Sequence, residues 1–246
     1  MGQKQGMETQ VRQHLHHLPN RKTNIVYILA LTLSPIINML VRWITFEIYW
    51  SNPANVIKSQ QVVPPDHWVF TILCSGLEAI LVVMALVMVK SIIHQGRFFR
   101  KLLLSFGVLA TVDLALNMIV INIGIYSFKV GSFLLLGLST GIYISLNLIF
   151  FFWYWYDDFP TQVRRLIHPE APCSIWFPRE AIETNPRWVP SALDYLYFTV
   201  MTSNTLGPPE NHTVIGYKAK ILQLMQSSAM LILLVIVVSR AINTLQ

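Results

Sequence analysis

Residues 202–210 hold the groups of this chain that are best suited to contact an ion. They combine hydroxyl, amide and carboxylate side chains with one glycine and two prolines, and a long apolar run follows. Residues 191–201 are apolar but too few to cross a bilayer, since a span needs about 20 residues. Non-helical backbone at membrane depth is tolerated where it lines a water-filled cavity. The sequence therefore predicts a re-entrant helix over 191–201 and a turn over 202–210 that presents backbone carbonyls to a water-filled cavity.

Three charged residues lie inside other apolar runs, and each shares a helical face with smaller polar residues. These polar stripes are Ser34, Asn38 and Arg42, then Thr71, Ser75 and Glu78, then Asp113 and Asn117. Because a polar side chain in lipid must find a partner, we expect the stripes to meet. They could form a proton or cation path in which one carboxyl stays protonated, or a polar cluster that only fixes helix packing. The Arg42 side chain could point inward to Glu78 or outward to the membrane surface beside Glu47.

Composition places these residues in a membrane protein. Of 246 residues, 54% are hydrophobic and 12% are charged, whereas soluble domains carry about 25% charged residues. The predicted fold class is an all-α integral membrane protein with five transmembrane helices plus a short re-entrant pore helix. The predicted spans are 24–46, 68–89, 102–125, 132–154 and 220–242. Aromatic residues 153–156 are expected to form an interfacial belt at the end of the fourth span.

The basic residues are distributed unevenly across the predicted bundle. With five spans, 14 of the 18 Lys and Arg residues fall on the side of the N-terminus. Cytoplasmic loops carry an excess of basic residues, so this pattern predicts a multi-pass protein of the cell membrane with a cytoplasmic N-terminus. The basic residues lie in short loops, and we therefore expect no nucleic-acid partner.

The fourth and fifth predicted spans carry further patterns. Gly137, Gly141 and Ser145 are spaced by four residues, which allows close helix approach either between subunits or within one subunit. Gln223 and Ser227 share a face of the fifth span that becomes apolar farther along, as is typical of a pore-lining helix with a hydrophobic constriction. A helix buried among its neighbours is the alternative. The fourth span has no arginines, so we expect no voltage sensing.

The order of elements after residue 131 resembles the pore module of tetrameric potassium-type channels. It comprises an outer helix 132–154, a linker 157–190, a pore helix 191–201, a turn 202–210 and an inner helix 220–242. The family's turn reads T-x-T-T-V-G-Y-G-D, and this chain reads T-S-N-T-L-G-P-P-E. Residues 194–243 also look like the C-terminal part of an uncharacterised group of bacterial multi-pass membrane proteins with a degenerate pore turn. The chain would then consist of a polar basic segment 1–23, a three-helix bundle 24–130 and a pore-like module 131–246.

The resemblance implies a homotetramer in the lipid bilayer that conducts monovalent cations. It also implies that residues 202–210 form a selectivity turn, in which the ion contacts Thr202, Asn204, Thr205, Leu206, Gly207 and Glu210. Pro208 and Pro209 depart from the family's turn, and Pro209 stands where the family has a glycine with unusual backbone angles. We therefore expect weak selectivity, with the Glu210 carboxylates favouring cations over anions. The sequence-based function is a passive, weakly selective cation channel that is not voltage-sensing.

Two other functions remain open from the sequence. One is a proton-coupled secondary transporter that uses Glu78 and Asp113, and the other is a non-conducting membrane scaffold or accessory subunit. We find no nucleophile–base arrangement, metal-ligand spacing or nucleotide fingerprint, so we expect neither an enzyme nor a cofactor or metal site.

Overall fold

A computed structural model describes residues 21–50, 67–91, 97–127, 132–166, 168, 170–178 and 188–244. Residues 1–20 of the predicted N-terminal segment and part of the predicted linker 157–190 lie outside the described residues. The elements are α1 (Arg21–Trp50), α2 (His67–Ser91), α3 (Arg97–Ser127), α4 (Ser132–Arg165), β1 (Ile175–Trp176), α5 (Ala192–Thr205), β2 (Thr213–Val214) and α6 (Tyr217–Thr244). The two strands have two residues each, so the described fold is helical, as predicted.

Four of these helices are long and apolar enough to cross a membrane. Their apolar windows are Ile25–Thr45 in α1, Arg100–Ile119 in α3, Leu134–Arg165 in α4 and Tyr217–Ser239 in α6. The apolar stretch recognised in the described part of α2 is shorter, Ser75–Met88. Because a span needs about 20 residues, the four long windows have the lengths of an integral membrane protein. The crossing by α2, and with it the count of five spans, stays a prediction.

Residues Ala30–Ile149 and Ser228–Gln246 form one compact unit, here called the helical bundle. In it α2 packs along α3. The Oγ atoms of Ser34 in α1 and Ser145 in α4 lie 2.6 Å apart, which joins these two helices through a buried hydrogen bond.

The stripe of small residues in α4 has different surroundings along its length. A Cβ on Gly141 would lie 2.6 Å from the Cγ2 atom of Val41, so α1 approaches α4 closely there. A Cβ on Gly137 would meet nothing within 4 Å among the described residues. Gly141 therefore packs against α1 of the same chain, whereas Gly137 has open space beside it among the described residues.

The described residues up to Leu29 and those within Phe150–Ser227 form the second compact unit, here called the loop unit. Its described part contains the C-terminal part of α4, both strands, α5 and the start of α6. The strands pair antiparallel, with Ile175 opposite Val214. The Tyr27 ring of α1 stacks on Trp155 with centroids 4.2 Å apart, and on Phe151 at 4.8 Å.

The structure corrects the predicted end of the outer helix and two of the four residues of the aromatic belt beside it; Trp153 and Tyr156 are half-buried. α4 does not end at residue 154 but continues to Arg165. Tyr154 and Trp155 are 0% and 6% exposed, so these rings belong to the core of the loop unit. They are buried because the Tyr27 and Phe198 rings cover them, which a belt facing the lipid interface would not allow.

Candidate functional site

The start of α5 is determined by local sequence. Ser191 is the N-cap, and its Oγ accepts a hydrogen bond from the backbone N–H of Asp194 at 3.4 Å. The Asp194 carboxylate accepts in return from the backbone N–H of Ser191 at 2.7 Å. This reciprocal capping box satisfies donors that a helix start leaves unpaired, and Asp194 also complements the positive end of the helix dipole.

The buried carboxylate of Asp158 in α4 holds the N-terminal end of α5, here called its outer end. Tyr195 in α5 donates its hydroxyl to Asp158 Oδ2 at 2.7 Å, and Gln162 donates to the same oxygen at 3.1 Å. The backbone N–H groups of Ser174 and Ile175 both donate to Oδ1 at 2.9 Å. One carboxylate thus joins α4, α5 and the segment that leads into β1, and each of these partners donates to it.

Aromatic contacts determine the direction in which α5 runs. The Phe198 ring meets the Tyr154 ring edge to face with centroids 4.9 Å apart. Tyr195 contacts Asp158 and Phe198 contacts Tyr154, so α5 runs antiparallel to α4. At a rise of about 1.5 Å per residue, Thr205 lies about 10 Å beyond Phe198, away from Asp158.

Gln226 joins the C-terminal half of α5, here called its inner part, to α6. Its Nε2 donates to the backbone carbonyl of Thr199 at 2.9 Å and to Ser203 Oγ at 2.6 Å. Gln226 is 0% exposed, so these bonds are shielded from water and add to the positioning of α5.

After α5 the chain turns back towards its starting point. Leu206 caps the helix in the left-handed conformation, with φ of 57°. Residues 207–216, here called the return segment, lead from this cap to β2 and beyond it. The ring of His212 in this segment lies near the Phe198 ring, with centroids 5.7 Å apart. The backbone N–H groups of Ile215 and Gly216 donate to the carbonyl of Ser174 at 2.9 and 3.0 Å. Since Ser174 also binds the Asp158 carboxylate, the helix and its return segment are both held at the same end of the loop unit.

The boundary of α5 corrects the predicted boundary between helix and turn. The helix does not end at residue 201, so Thr202, Asn204 and Thr205 lie in its last turn rather than in a non-helical turn. Thr205 Oγ1 donates to the carbonyl of Met201 at 2.8 Å, a local bond that lets a threonine continue the helix. The turn itself begins at Leu206 and contains Gly207.

The predicted ion-contacting and pore-lining residues differ in exposure. Asn204, Thr205, Leu206 and Glu210 are exposed in the single chain. Thr202 is 0% exposed, so its side chain packs inside the loop unit. Gly207, Gln223 and Ser227 are half-buried, while Gln226 on the same helix is the residue that contacts α5.

In the helical bundle, the predicted intramembrane charges come together. Arg42 Nη1 lies 2.8 Å from Glu78 Oε1, and Arg42 Nη2 lies 2.6 Å from Asp113 Oδ1. Asn38 donates to Asp113 Oδ2 at 3.0 Å, and Asn117 donates to Asn38 Oδ1 at 3.3 Å. Residues of three polar stripes therefore meet, and Arg42 points inward. The Thr71 and Glu47 side chains lie outside the described residues, and Ser75 is exposed.

The positioning roles of Asp158, Tyr195 and Gln226 were not predicted from the sequence. The predicted linker includes Asp158 because the aromatic residues before it have the pattern of the end of a span. The available signal was the acidic residue itself, with Gln162 four positions later on the same helical face. The contact with Tyr195 joins residues 37 positions apart and has no local signature.

No family model, no curated protein and no solved structure matches this chain. Among the residues that the structure describes, no three His, Cys, Asp or Glu side chains are grouped so as to hold a metal ion.

Proposed function

We propose that this chain is one subunit of a passive, weakly selective cation channel of the re-entrant pore-loop type. The observation that carries the proposal is the path of residues 191–216 in the loop unit. The chain leaves the β1 end as α5, advances for 14 residues, turns at Leu206 and returns to pair with β1. An α-helix of that length extends about 21 Å, which is short of the ~30 Å hydrocarbon core of a bilayer.

The inner end of α5 supports a water-filled cavity rather than contact with lipid. Asn204 and Thr205 are exposed there, and exposed polar groups at membrane depth face water or protein. The last carbonyls of an α-helix have no partner within the helix and carry the negative end of its dipole. A helix end of this kind favours a cation.

The exposed face of α6 supports assembly around this helix. Only 22% of its apolar window is buried, compared with 39% in α3, 44% in α1 and 56% in α4. In a four-fold homo-oligomer α6 would line the pore, with Gln223 and Ser227 near the cavity and apolar residues farther along. A single copy supplies only part of such a wall.

The return segment supports weak selectivity. Potassium-type filters dehydrate the ion with successive backbone carbonyls. Pro208 and Pro209 lack N–H groups and fix φ near −65°, so a regular stack of four carbonyl rings is not expected here. A looser ring that includes Thr205 and Glu210 would admit several monovalent cations.

The asymmetry of basic residues supports an orientation for the proposed channel. If α2 also crosses, five spans place the N-terminus and the β1 end of the loop unit on the cytoplasmic side. Residues 191–210 would then enter from the cytoplasm. In vesicles of known orientation, a membrane-impermeant reagent should label a cysteine at Asn211 only from the cytoplasmic side.

The channel proposal is tested with purified protein in planar bilayers. We expect single-channel cation currents with little preference for potassium over sodium and no steep voltage dependence. A cationic thiol reagent should reduce current through Asn204→Cys and leave Leu193→Cys as insensitive as the wild type. Leu193 is the matched control because it is 73% exposed near the outer end of the same helix.

Three results would contradict the channel proposal: strong potassium selectivity, equal inhibition of both cysteine variants, or a stable monomer in nanodiscs. The first would contradict only the weak selectivity, the second the position of Asn204 in the pore, and the third the oligomeric cavity.

A proton-coupled transporter is the second candidate, and the cluster of Arg42, Glu78 and Asp113 favours it. Ionisable residues inside membrane helices often belong to proton relays. Saturable uptake driven by a proton gradient, without single-channel currents, would support the transporter over the channel. Absence of any flux in vesicles would instead support a scaffold or accessory subunit.

A further inference from the structure

The charges in the middle of the helical bundle do not balance if every group is ionised. Arg42 supplies one positive charge, while Glu78 and Asp113 supply two negative charges. The other charged side chains described in this unit, Arg100 and Lys101, are exposed near the start of α3. Lys101 precedes Asp113 by 12 residues, or about 18 Å along the helix, so neither residue neutralises the cluster.

A net negative charge away from water is strongly unfavourable, and the side chains that the structure describes leave this cluster one positive charge short. A proton on one of the two carboxylates restores neutrality: the carboxylate takes H⁺ from water and becomes a carboxylic acid.

The surroundings of the two carboxylates indicate which one takes the proton. Asp113 is 1% exposed, and each of its oxygens accepts a hydrogen bond, Oδ1 from Arg42 and Oδ2 from Asn38. A proton on either oxygen would compete with one of these donors. Glu78 is 20% exposed, and only its Oε1 accepts a hydrogen bond from a described residue, namely Arg42.

We propose that Glu78 is a proton-exchange site of the bundle, while Asp113 keeps its hydrogen bonds from Arg42 and Asn38. The fully buried Asn117 Oδ1 has no hydrogen-bond partner among the described residues. Buried polar atoms are usually satisfied by protein or water, so this atom marks a place for a water molecule within the same polar network. When Glu78 loses its proton, the cluster changes from neutral to negative. The ion pair between Glu78 in α2 and Arg42 in α1 then becomes stronger.

The proposal is tested by infrared difference spectroscopy of the wild-type protein in nanodiscs, comparing acidic with alkaline buffer. We expect one carbonyl band of a protonated carboxylic acid from the bundle. Labelling all glutamates with ¹³C at the side-chain carboxyl should shift this band, and labelling all aspartates should not. Because the labelled protein is otherwise wild type, this result does not depend on how any variant folds.

Substitutions that change the number of charged groups in the cluster show which residue gives the carbonyl band. Glu78→Gln should lose it, because the substituted side chain is neutral and keeps an oxygen that can accept from Arg42. The Glu170→Gln control, in an exposed residue outside the bundle, should keep it. Arg42→Gln should raise its amplitude about twofold, since both carboxylates then need a proton.

A band that shifts with aspartate labelling and survives in Asp158→Asn, a band that persists in Glu78→Gln, or the absence of a band at every pH would overturn the proposal. An aspartate band that disappears in Asp158→Asn belongs to the buried carboxylate of the loop unit. These outcomes are independent of conduction, so the proton site and the channel can fail separately.

Discussion

Replacing Tyr195 with Phe removes one hydroxyl and leaves the packing of the ring in place. In the wild type this hydroxyl donates to Asp158 Oδ2 at 2.7 Å, and both residues are 0% exposed. The bond joins α5 to α4, so its loss tests whether the Asp158 carboxylate holds the short helix in position.

The expected loss of stability follows from the partners that remain. A hydrogen bond to a charged group contributes about 1.5–3 kcal/mol net. Asp158 Oδ2 still accepts from Gln162 at 3.1 Å in the variant, so the acceptor is not left unsatisfied. We therefore expect Tyr195→Phe to lower the free energy of unfolding by about 1.5–2 kcal/mol, the lower part of that range.

The control is Tyr197→Phe, which removes a hydroxyl from the same helix at a residue that is 52% exposed. An exposed substitution of this kind should change the free energy of unfolding by less than about 0.5 kcal/mol. Both variants can be unfolded reversibly with SDS in mixed micelles and followed by tryptophan fluorescence and circular dichroism.

A double-mutant cycle with Asp158→Ala separates the Tyr195–Asp158 bond from other effects of the substitution. Contacting residues usually show a coupling energy of about 0.5–3 kcal/mol. Equal stability of Tyr195→Phe and Tyr197→Phe, or strict additivity in this cycle, would refute the role assigned to the carboxylate.

Three further substitutions test packing in the two units. Gly141→Ala should destabilise by about 1–3 kcal/mol because its Cβ would meet a side chain of α1 at 2.6 Å, whereas Gly137→Ala has open space and should be neutral or slightly stabilising in thermal unfolding. Gly216→Ala should lower the thermal midpoint, since its Cβ would lie 2.8–3.0 Å from atoms of Ser174; an unchanged midpoint would argue against that close approach. Gln226→Leu should cost about 1–3 kcal/mol by removing two buried hydrogen bonds to α5, and a loss no greater than that of the half-buried control Gln223→Leu would count against this attachment.

Local sequence determined the helical class, the apolar windows and the start of α5. These features depend on residues within one or two helical turns of each other. Length and hydropathy are sufficient for a window such as Ile25–Thr45, and the spacing of Ser191 and Asp194 is sufficient for a capping box. The spacing of Ser34, Asn38 and Arg42 likewise placed them on one face, because the helix period is known in advance.

Tertiary structure decided where α4 and α5 end and which partner each polar side chain finds. The residues around Asp158 have the sequence pattern of an interfacial belt followed by a linker. In the structure, contacts from α1 and α5 bury several of them. The inward direction of Arg42 and the difference between Gly141 and Gly137 also depend on which helices become neighbours. A hydrogen bond such as that between Asp158 and Tyr195 joins positions 37 residues apart, and the energy that selects it exists only once the chain has folded.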